Sequence, residues 1–208
     1  MENIFKIIAF VSLISISTFS EDVIGGAFGI KFGDLVSDKI LTGYQPKFIH
    51  GTPLLFSDSL NSKEIMETRR DWLEVKIDSS NIPKVLLIDA NWVEFSIQID
   101  SLQGDKIIRI RADTHLNLYS KPSVYGKVKI MGDGLKKKYT CVLFQDDEGA
   151  APHYIFKGGN GYLELTTDGE YINYDYYDMV YYKKYISNLK KRLKSIENNL
   201  KDAATDGL

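Results

Sequence analysis

Residue types that do chemistry are sparse and scattered in this chain. The three histidines, His50, His115 and His153, stand 65 and 38 residues apart, and neither interval has the short ligand spacing of a zinc site. Cys141 is the only cysteine, so no intramolecular disulfide is possible. It sits in Tyr139-Thr140-Cys141-Val142-Leu143-Phe144, a run typical of a half-buried strand, and a structural thiol is its expected role. Cys141 with His153 is the one cysteine–histidine pair to weigh as nucleophile and base, although the sequence supplies the thiol with no activating neighbour. Carboxylates gather at Asp146-Asp147-Glu148 and around Asp175 and Asp178. Such pairs bind calcium or do acid–base work, but the first group is most simply a hairpin turn. No Gly-x-Ser-x-Gly elbow is present. The glycine-rich run Gly25 to Gly33 is not followed by the Gly-Lys-Ser/Thr of a phosphate loop, so it is expected to be a flexible or edge-strand lead-in. No catalytic residue, metal or cofactor is expected.

Aromatic side chains offer a different chemistry, stacking on sugars or peptides. Six tyrosines lie between Tyr171 and Tyr182, and two readings stand open: a binding platform, or rings that pack a sheet edge or cover a helix. The elements that position them are legible from alternation. Thr167-Asp168-Gly169-Glu170 makes a hairpin turn into YINYDYYD, which puts Ile172, Tyr174 and Tyr176 on one strand face. From Lys106, Ile108, Ile110 and Ala112 alternate with Arg109, Arg111 and Asp113, giving an apolar face and a charged one. Leu116 and Leu118 carry the pattern to Lys121-Pro122-Ser123, where Pro122 has no N–H for a ladder; after Gly126, Val128 and Ile130 restart it as a second strand. Then follow KKYTCVLFQDDEG, HYIFK, the glycine turn Gly158-Gly159-Asn160-Gly161, and YLEL. Phe95 to Gly104 is a further alternating segment with a Ser-Leu-Gln-Gly turn. Short strands between Gly and Asp turns predict a small barrel or sandwich.

Length and charge set the class. Residues 1–20 have a short start carrying Lys6, a ten-residue apolar run from Ile7 to Ile16, and small Thr18 and Ser20. This is the form of a secretory signal peptide, and the run is half the ~20 residues of a membrane-spanning helix. Export to the periplasm or beyond is therefore expected, with no membrane span after cleavage. About 188 residues remain, enough for one medium domain or two or three small ones. With 26 basic and 28 acidic residues, no global field favours nucleic acid or a membrane surface.

Residues 107 to 165 resemble a bacterial SH3-like domain. The resemblance rests on Leu116-Asn117-Leu118-Tyr119-Ser120-Lys121-Pro122-Ser123, then Lys127-Val128, then Tyr154-Ile155-Phe156-Lys157, and finally Gly161-Tyr162-Leu163. Tyr119 stands where arginine is common in that family, and His153-Tyr154 where tryptophan usually leads. A degenerate copy over residues 47 to 95 is suggested by four matches in the same order. Leu55-Phe56-Ser57 lies 63 residues before Leu118-Tyr119-Ser120, and Lys63-Glu64-Ile65 falls near Lys127-Val128. Trp72-Leu73-Glu74-Val75-Lys76 matches His153 to Lys157, and Asn91-Trp92-Val93-Glu94-Phe95 matches Gly161 to Leu165. The alternative for this half is a different α+β unit, in which Asn61 caps a short helix with Glu64 three residues on.

The C-terminal pattern is helical. Met179, Tyr182, Ile186, Leu189, Leu193, Ile196 and Leu200 recur at intervals of 3, 4, 3, 4, 3 and 4, one stripe of an amphipathic helix. The stripe is about 34 Å long, so part of it should overhang its own domain, and it is the expected interaction helix.

The expected organisation is therefore a mainly β, α+β chain: signal peptide 1–20, glycine-rich lead 21–46, SH3-like units 47–95 and 107–165, hairpin extension 166–177, and helix 178–202. By the resemblance, such units bind peptide or cell-wall material in a shallow aromatic groove. Its candidates here are Tyr119, Tyr125, His153, Tyr154 and Tyr162, with Phe56, Trp72 and Trp92 in the first copy; core packing is the competing role. The expected function is that of an exported, non-enzymatic binding or scaffold protein of the bacterial cell envelope, with a peptide, cell-wall or envelope-protein partner. An assembly protein that forms homo-oligomers or docks through its helix is the alternative. A cell-wall hydrolase using Cys141 is third, since cysteine peptidases often accompany such domains.

Overall fold

The structure, a computed structural model, describes residues 22–36, 41–46, 52–87, 90–116, 121–146 and 150–206. The signal-peptide region, His50 and Tyr119 lie outside them. The described chain is mostly β, with one eight-stranded antiparallel sheet, a two-stranded hairpin and a long C-terminal helix. The hairpin is β1 (Gly26–Ala27) with β2 (Ile30–Lys31). The sheet comprises β3 (Leu41–Pro46), β4 (Trp72–Val75), β5 (Ala90–Asp100), β6 (Lys106–Leu116), β7 (Thr140–Gln145), β8 (His153–Gly158), β9 (Gly161–Thr167) and β10 (Tyr171–Asp178), in the order β3-β4-β5-β6-β10-β9-β8-β7. The helices are α1 (Ser62–Thr68), α2 (Lys84–Leu87), α3 (Lys121–Leu135) and α4 (Met179–Asp206).

Two four-stranded meanders, β3 to β6 and β7 to β10, thus meet where β6 pairs with β10. The segments that match in sequence, Trp72–Lys76 with His153–Lys157 and Asn91–Phe95 with Gly161–Leu165, begin on the second and third strands counted from each edge. No closed barrel forms among the described residues. Strands from both expected units join one open sheet, and β6, placed at the head of the second unit, is hairpin-paired to β5 of the first.

Residues 121 to 135 depart most from expectation. They form α3, not a proline turn followed by a strand. Pro122 lies in the helix's first turn, where the N–H it lacks has no intrahelical acceptor in any case. Val124, Val128 and Met131 repeat at helical spacing and are buried against the sheet, whereas Ile130, the residue that suggested strand alternation, is 75% exposed. A Cβ on Gly132 would stand 2.5 Å from Cζ of Tyr154, so glycine sets how closely α3 approaches β8.

The other face of the sheet belongs to α4. Asp178 caps it, accepting the Val180 and Tyr181 amides at 2.8 and 3.0 Å. Its expected stripe holds: Tyr182, Ile186, Leu189 and Leu193 are buried and Met179 is partly so, while Ile196 and Leu200 are 44% and 66% exposed beyond the sheet. Burial of Ile186, Leu189 and Leu193 contributes about 1.5–3 kcal/mol each. In the first half the capped helix is the reading that holds: the Glu64 amide donates to Asn61 Oδ1 at 3.0 Å, and the Asn61 amide to Glu64 Oε2 at 2.9 Å. The glycine-rich lead is a hairpin that buries Phe28 and Ile30 against the α3 face of the sheet. Phe28, in the left-handed region at φ 55°, sets its ring edge-on to Phe95 at 5.0 Å and Tyr176 at 5.5 Å.

A polar contact fixes α4 laterally. Tyr185 donates to Asp71 Oδ2 at 2.6 Å, and Ser101 donates to Oδ1 at 3.3 Å. Burial raises the Asp71 carboxyl above its ordinary 3.8, against the lowering effect of Tyr185 and Arg192. A group whose pKa is raised by folding contributes most when protonated, and that contribution is lost as pH rises through its folded pKa. Asp71→Asn should therefore gain stability relative to the native chain as pH rises from the ordinary carboxylate range toward neutrality. Urea unfolding across pH 3 to 8 checks this; an offset independent of pH would refute it.

Candidate functional site

Part of the α4-side face is not covered by the helix, and there the sequence's charged and aromatic strand residues line up. Cross-strand pairing sets them in four successive rows: Trp92, His115 and Tyr171; then Glu94, Asp113, Asn173 and Thr166; then Ser96, Arg111, Asp175 and Glu164; then Gln98, Arg109, Tyr177 and Tyr162. Rows two residues apart are separated by about 7 Å, so the first lies about 20 Å from the last. The last passes beneath α4.

A bulge positions the buried end. Gln98 pairs with Arg109 but Ile99 with Ile107, leaving Ile108 as the extra residue. Ile107, Ile110 and Ala112 therefore pack on the α3 side, while Ile108 joins the α4 core. The strict alternation read from the sequence breaks at this point, and the charged face of β6 is interior here: Arg109 is 2% exposed.

Its charge is held by Asp175, which accepts from Arg109 Nε at 2.5 Å and also from Nη2. The guanidinium lies 4.9 Å over the Trp72 ring and 6.0 Å over that of Tyr182. Burial works against the Arg109 cation, yet the Asp175 carboxylate, by charge and hydrogen bonds, holds its pKa above the ordinary value. Burial likewise pushes the Tyr182 hydroxyl up to about 12, with Arg109 opposing. Arg111 Nε donates to Asp113 at 2.8 Å, and its Nη1 lies 3.9 Å from Asp175. In the same row as Arg111 and Asp175, Glu164 accepts the Leu54 amide at 3.1 Å and stands 2.8 Å from His153 Nε2.

Between these groups is a polar cavity of about 200 Å³, walled by Arg109, Arg111, Glu164, Asp175, Asn173, Thr166 and Thr52. Buried Thr52 Oγ1 has no hydrogen-bond partner among the described residues, nor does the Tyr177 hydroxyl. Each such group costs about 1–3 kcal/mol until something supplies its bond. At the open end of the face, Trp92 is 40% exposed and stacks on His115 at 5.3 Å with the rings 9° apart; Tyr171 sets its ring 5.5 Å from Trp92. Asn91 Nδ2 lies 3.1 Å from His115 Nδ1. The arrangement suits a polar, partly flat ligand: rings to stack on, then donors and acceptors of both charges.

The expected aromatic set is divided. Trp92, His153 and Tyr162 belong to this face, and Tyr162 stacks on Tyr177 at 5.6 Å. Phe56 and Trp72 are on the same side but buried, at 6% and 1% exposure. Tyr125 and Tyr154 pack on the opposite, α3-covered side, where Tyr154 stacks on Phe144 and Phe156. No single groove unites the seven that lie among the described residues. The cysteine–histidine pair is not assembled either: Cys141 packs at the rim of the α3-side core, donating to the Leu143 carbonyl, while His153 points to the other face and Glu164. Tyr171 belongs to the tyrosine run weighed as a platform, whereas His115, Arg109, Arg111, Glu164 and Asn173 were not singled out as binding residues. The available signal was the pair of arginines inside the apolar strand IIRIRAD, set against Asp175 within YINYDYYD. Among the described residues, no group of three or more His, Cys, Asp and Glu side chains is placed to hold a metal ion, and no helix is long and apolar enough to cross a membrane.

No protein-family model, curated protein or solved structure matches the chain.

Removing one partner of a buried ion pair costs about 3–5 kcal/mol, whereas replacing both with apolar groups is often neutral or stabilising. Asp175→Asn should accordingly lose several kcal/mol, about 3 or more, and the double variant Arg109→Met with Asp175→Leu much less. Chemical unfolding of the three proteins decides it; equal losses in single and double variants would show that the charge is not what matters.

Proposed function

We propose that this chain is an exported, non-enzymatic binding protein of the bacterial cell envelope, recognising peptide or cell-wall material along the uncovered face from Trp92 to the Arg111–Glu164 cavity. The observation that carries the reading is the half-exposed Trp92 stack continuing, row by row, into a polar cavity whose wall contains an unpartnered Thr52 hydroxyl. Aromatic rings bind the flat faces of sugars and peptide groups. Paired guanidinium and carboxylate groups fix such ligands by hydrogen bonds of both senses. Likeness to SH3-like units supports the ligand class, and the N-terminal signal pattern supports the compartment. In this reading the two units are merged into one sheet and share its face.

The experiment is titration of protein purified after export with soluble peptidoglycan fragments. Trp92→Ala should weaken binding at least tenfold while leaving the far-ultraviolet dichroism unchanged. Native protein that binds neither glycan nor peptide fragments would end the proposal.

A second reading, assembly through α4, is favoured by one observation: the apolar stripe continues past the sheet with Ile196 and Leu200 exposed. The stripe between Met179 and Leu193 packs into the core, so the informative truncation ends at Lys194. Sedimentation should then show a smaller species than the intact chain. An identical monomer in both cases excludes this reading.

A further inference from the structure

The opposite face of the sheet carries a second cavity, of about 430 Å³, between the C-terminal half of α3 and α2. Its floor is Tyr174 and Tyr176 of β10, and its walls include Leu135 of α3 and Leu86 of α2. Val85 and Ile130 stand at its mouth, 43% and 75% exposed. Tyr174 turns its hydroxyl to Met131 Sδ at 3.1 Å, which leaves its ring as an apolar floor. A lining that is mostly apolar favours apolar groups over water. The one charged side chain in the lining is Lys138, exposed in the turn after α3 and without a carboxylate partner among the described residues. Neighbouring Lys136 is held by Asp133 at 3.0 Å.

We propose that this cavity binds a single unbranched acyl chain whose anionic head is held by Lys138. The volume lies in the range of small-ligand sites, roughly 300–1,000 Å³. With a methylene about as large as a water, ~30 Å³, it accommodates a chain of roughly ten to fourteen carbons. A protein partner fits less well: a stable interface needs about 800 Å² from each side, and the exposed apolar rim here is Val85, Leu87 and Ile130. The charge at the mouth selects a carboxylate or phosphate head over an ammonium.

Gly134 provides the test. It lines the cavity, and a Cβ built on it meets nothing within 4 Å, so a side chain can start there without a clash, and Gly134→Phe is the change chosen to fill the space. Calorimetric titration of the exported protein with carboxylates of six to sixteen carbons should show one site. Affinity should rise about fourfold per methylene, then level off when the cavity is full. Gly134→Phe should weaken decanoate at least tenfold with an unchanged or higher melting temperature. Ile130→Glu, a change at an exposed position, should repel decanoate in the same way. Lys138→Met should weaken decanoate several-fold and leave decanol unaffected. No saturable uptake at any chain length, or native-like binding by both Gly134→Phe and Ile130→Glu, overturns the site. Equal effects of Lys138→Met on acid and alcohol overturn the head-group assignment.

Discussion

The pairing of β6 with β10 is the constraint on which the rest of the sheet depends, and Arg109 with Asp175 is the interaction that marks it. Each meander ends there: without this seam the molecule is two four-stranded sheets with exposed inner edges. Backbone hydrogen bonds alone do not fix register, because a slip of one residue turns every side chain to the wrong face. A buried guanidinium that must find its carboxylate across the seam makes such a slip costly. The adjacent bulge at Ile108 serves the same end, turning Ile108 and Arg109 together toward α4, so that the cation arrives under an aromatic lid formed by Trp72 and Tyr182.

From that seam the two faces diverge in chemistry. The α3 side is apolar from Val75 to Leu165 and is roofed by short elements, the β1–β2 hairpin, α2 and α3. Short roofs over a wide sheet leave gaps, and the apolar cavity lies in the gap between α2 and α3. The α4 side is roofed by one long helix, with Phe56, Leu60 and Ile65 packed beside it, and α4 crosses only part of the sheet. Where it stops, charged and aromatic residues of the central strands are left half-buried, neither fully hydrated nor fully packed. Polar groups in that condition are costly unless bonded, and most here are: Arg111 by Asp113, Glu164 by His153 and the Leu54 amide. Side chains already paired in this way are held by one another, which would reduce the ordering cost of the binding proposed for this face.

Much of the architecture was legible in local pattern. Strands β5, β6, β8, β9 and β10 follow from alternation and from Gly or Asp turns, and α4 from its 3-4 spacing. α3 was misread because Val128 and Ile130 alternate as well as they would in a strand; the competing helical series Val124, Val128, Met131 and Leu135 was equally present, and Pro122 is tolerated in a first helical turn. Short amphipathic segments carry both periods, and tertiary packing chooses between them. The candidate face was harder. Trp92, His153 and Tyr162 were named, but Arg109 and Arg111 read only as part of a charged strand face, because nothing local in IIRIRAD reveals that Asp175 sits one strand away. Pairing between residues 66 positions apart is a property of topology.

Open sheets must also manage their outer strands. β7 is the edge of the second meander, and it leaves Val142 and Phe144 46% and 47% exposed. Such an edge is a template for adding another strand. Here two features oppose that. The register breaks between Cys141 and Leu143, so the ladder that an incoming strand would continue is irregular. Lys136, bonded to Asp133, sets its ammonium 4.6 Å over the Phe144 ring and 5.2 Å over that of Tyr154. The same stack that places Tyr154 beneath Gly132 thus carries a cation at its outer end. A strand approaching β7 would have to displace that cation or bury it, which ties protection of the sheet edge to the seating of α3.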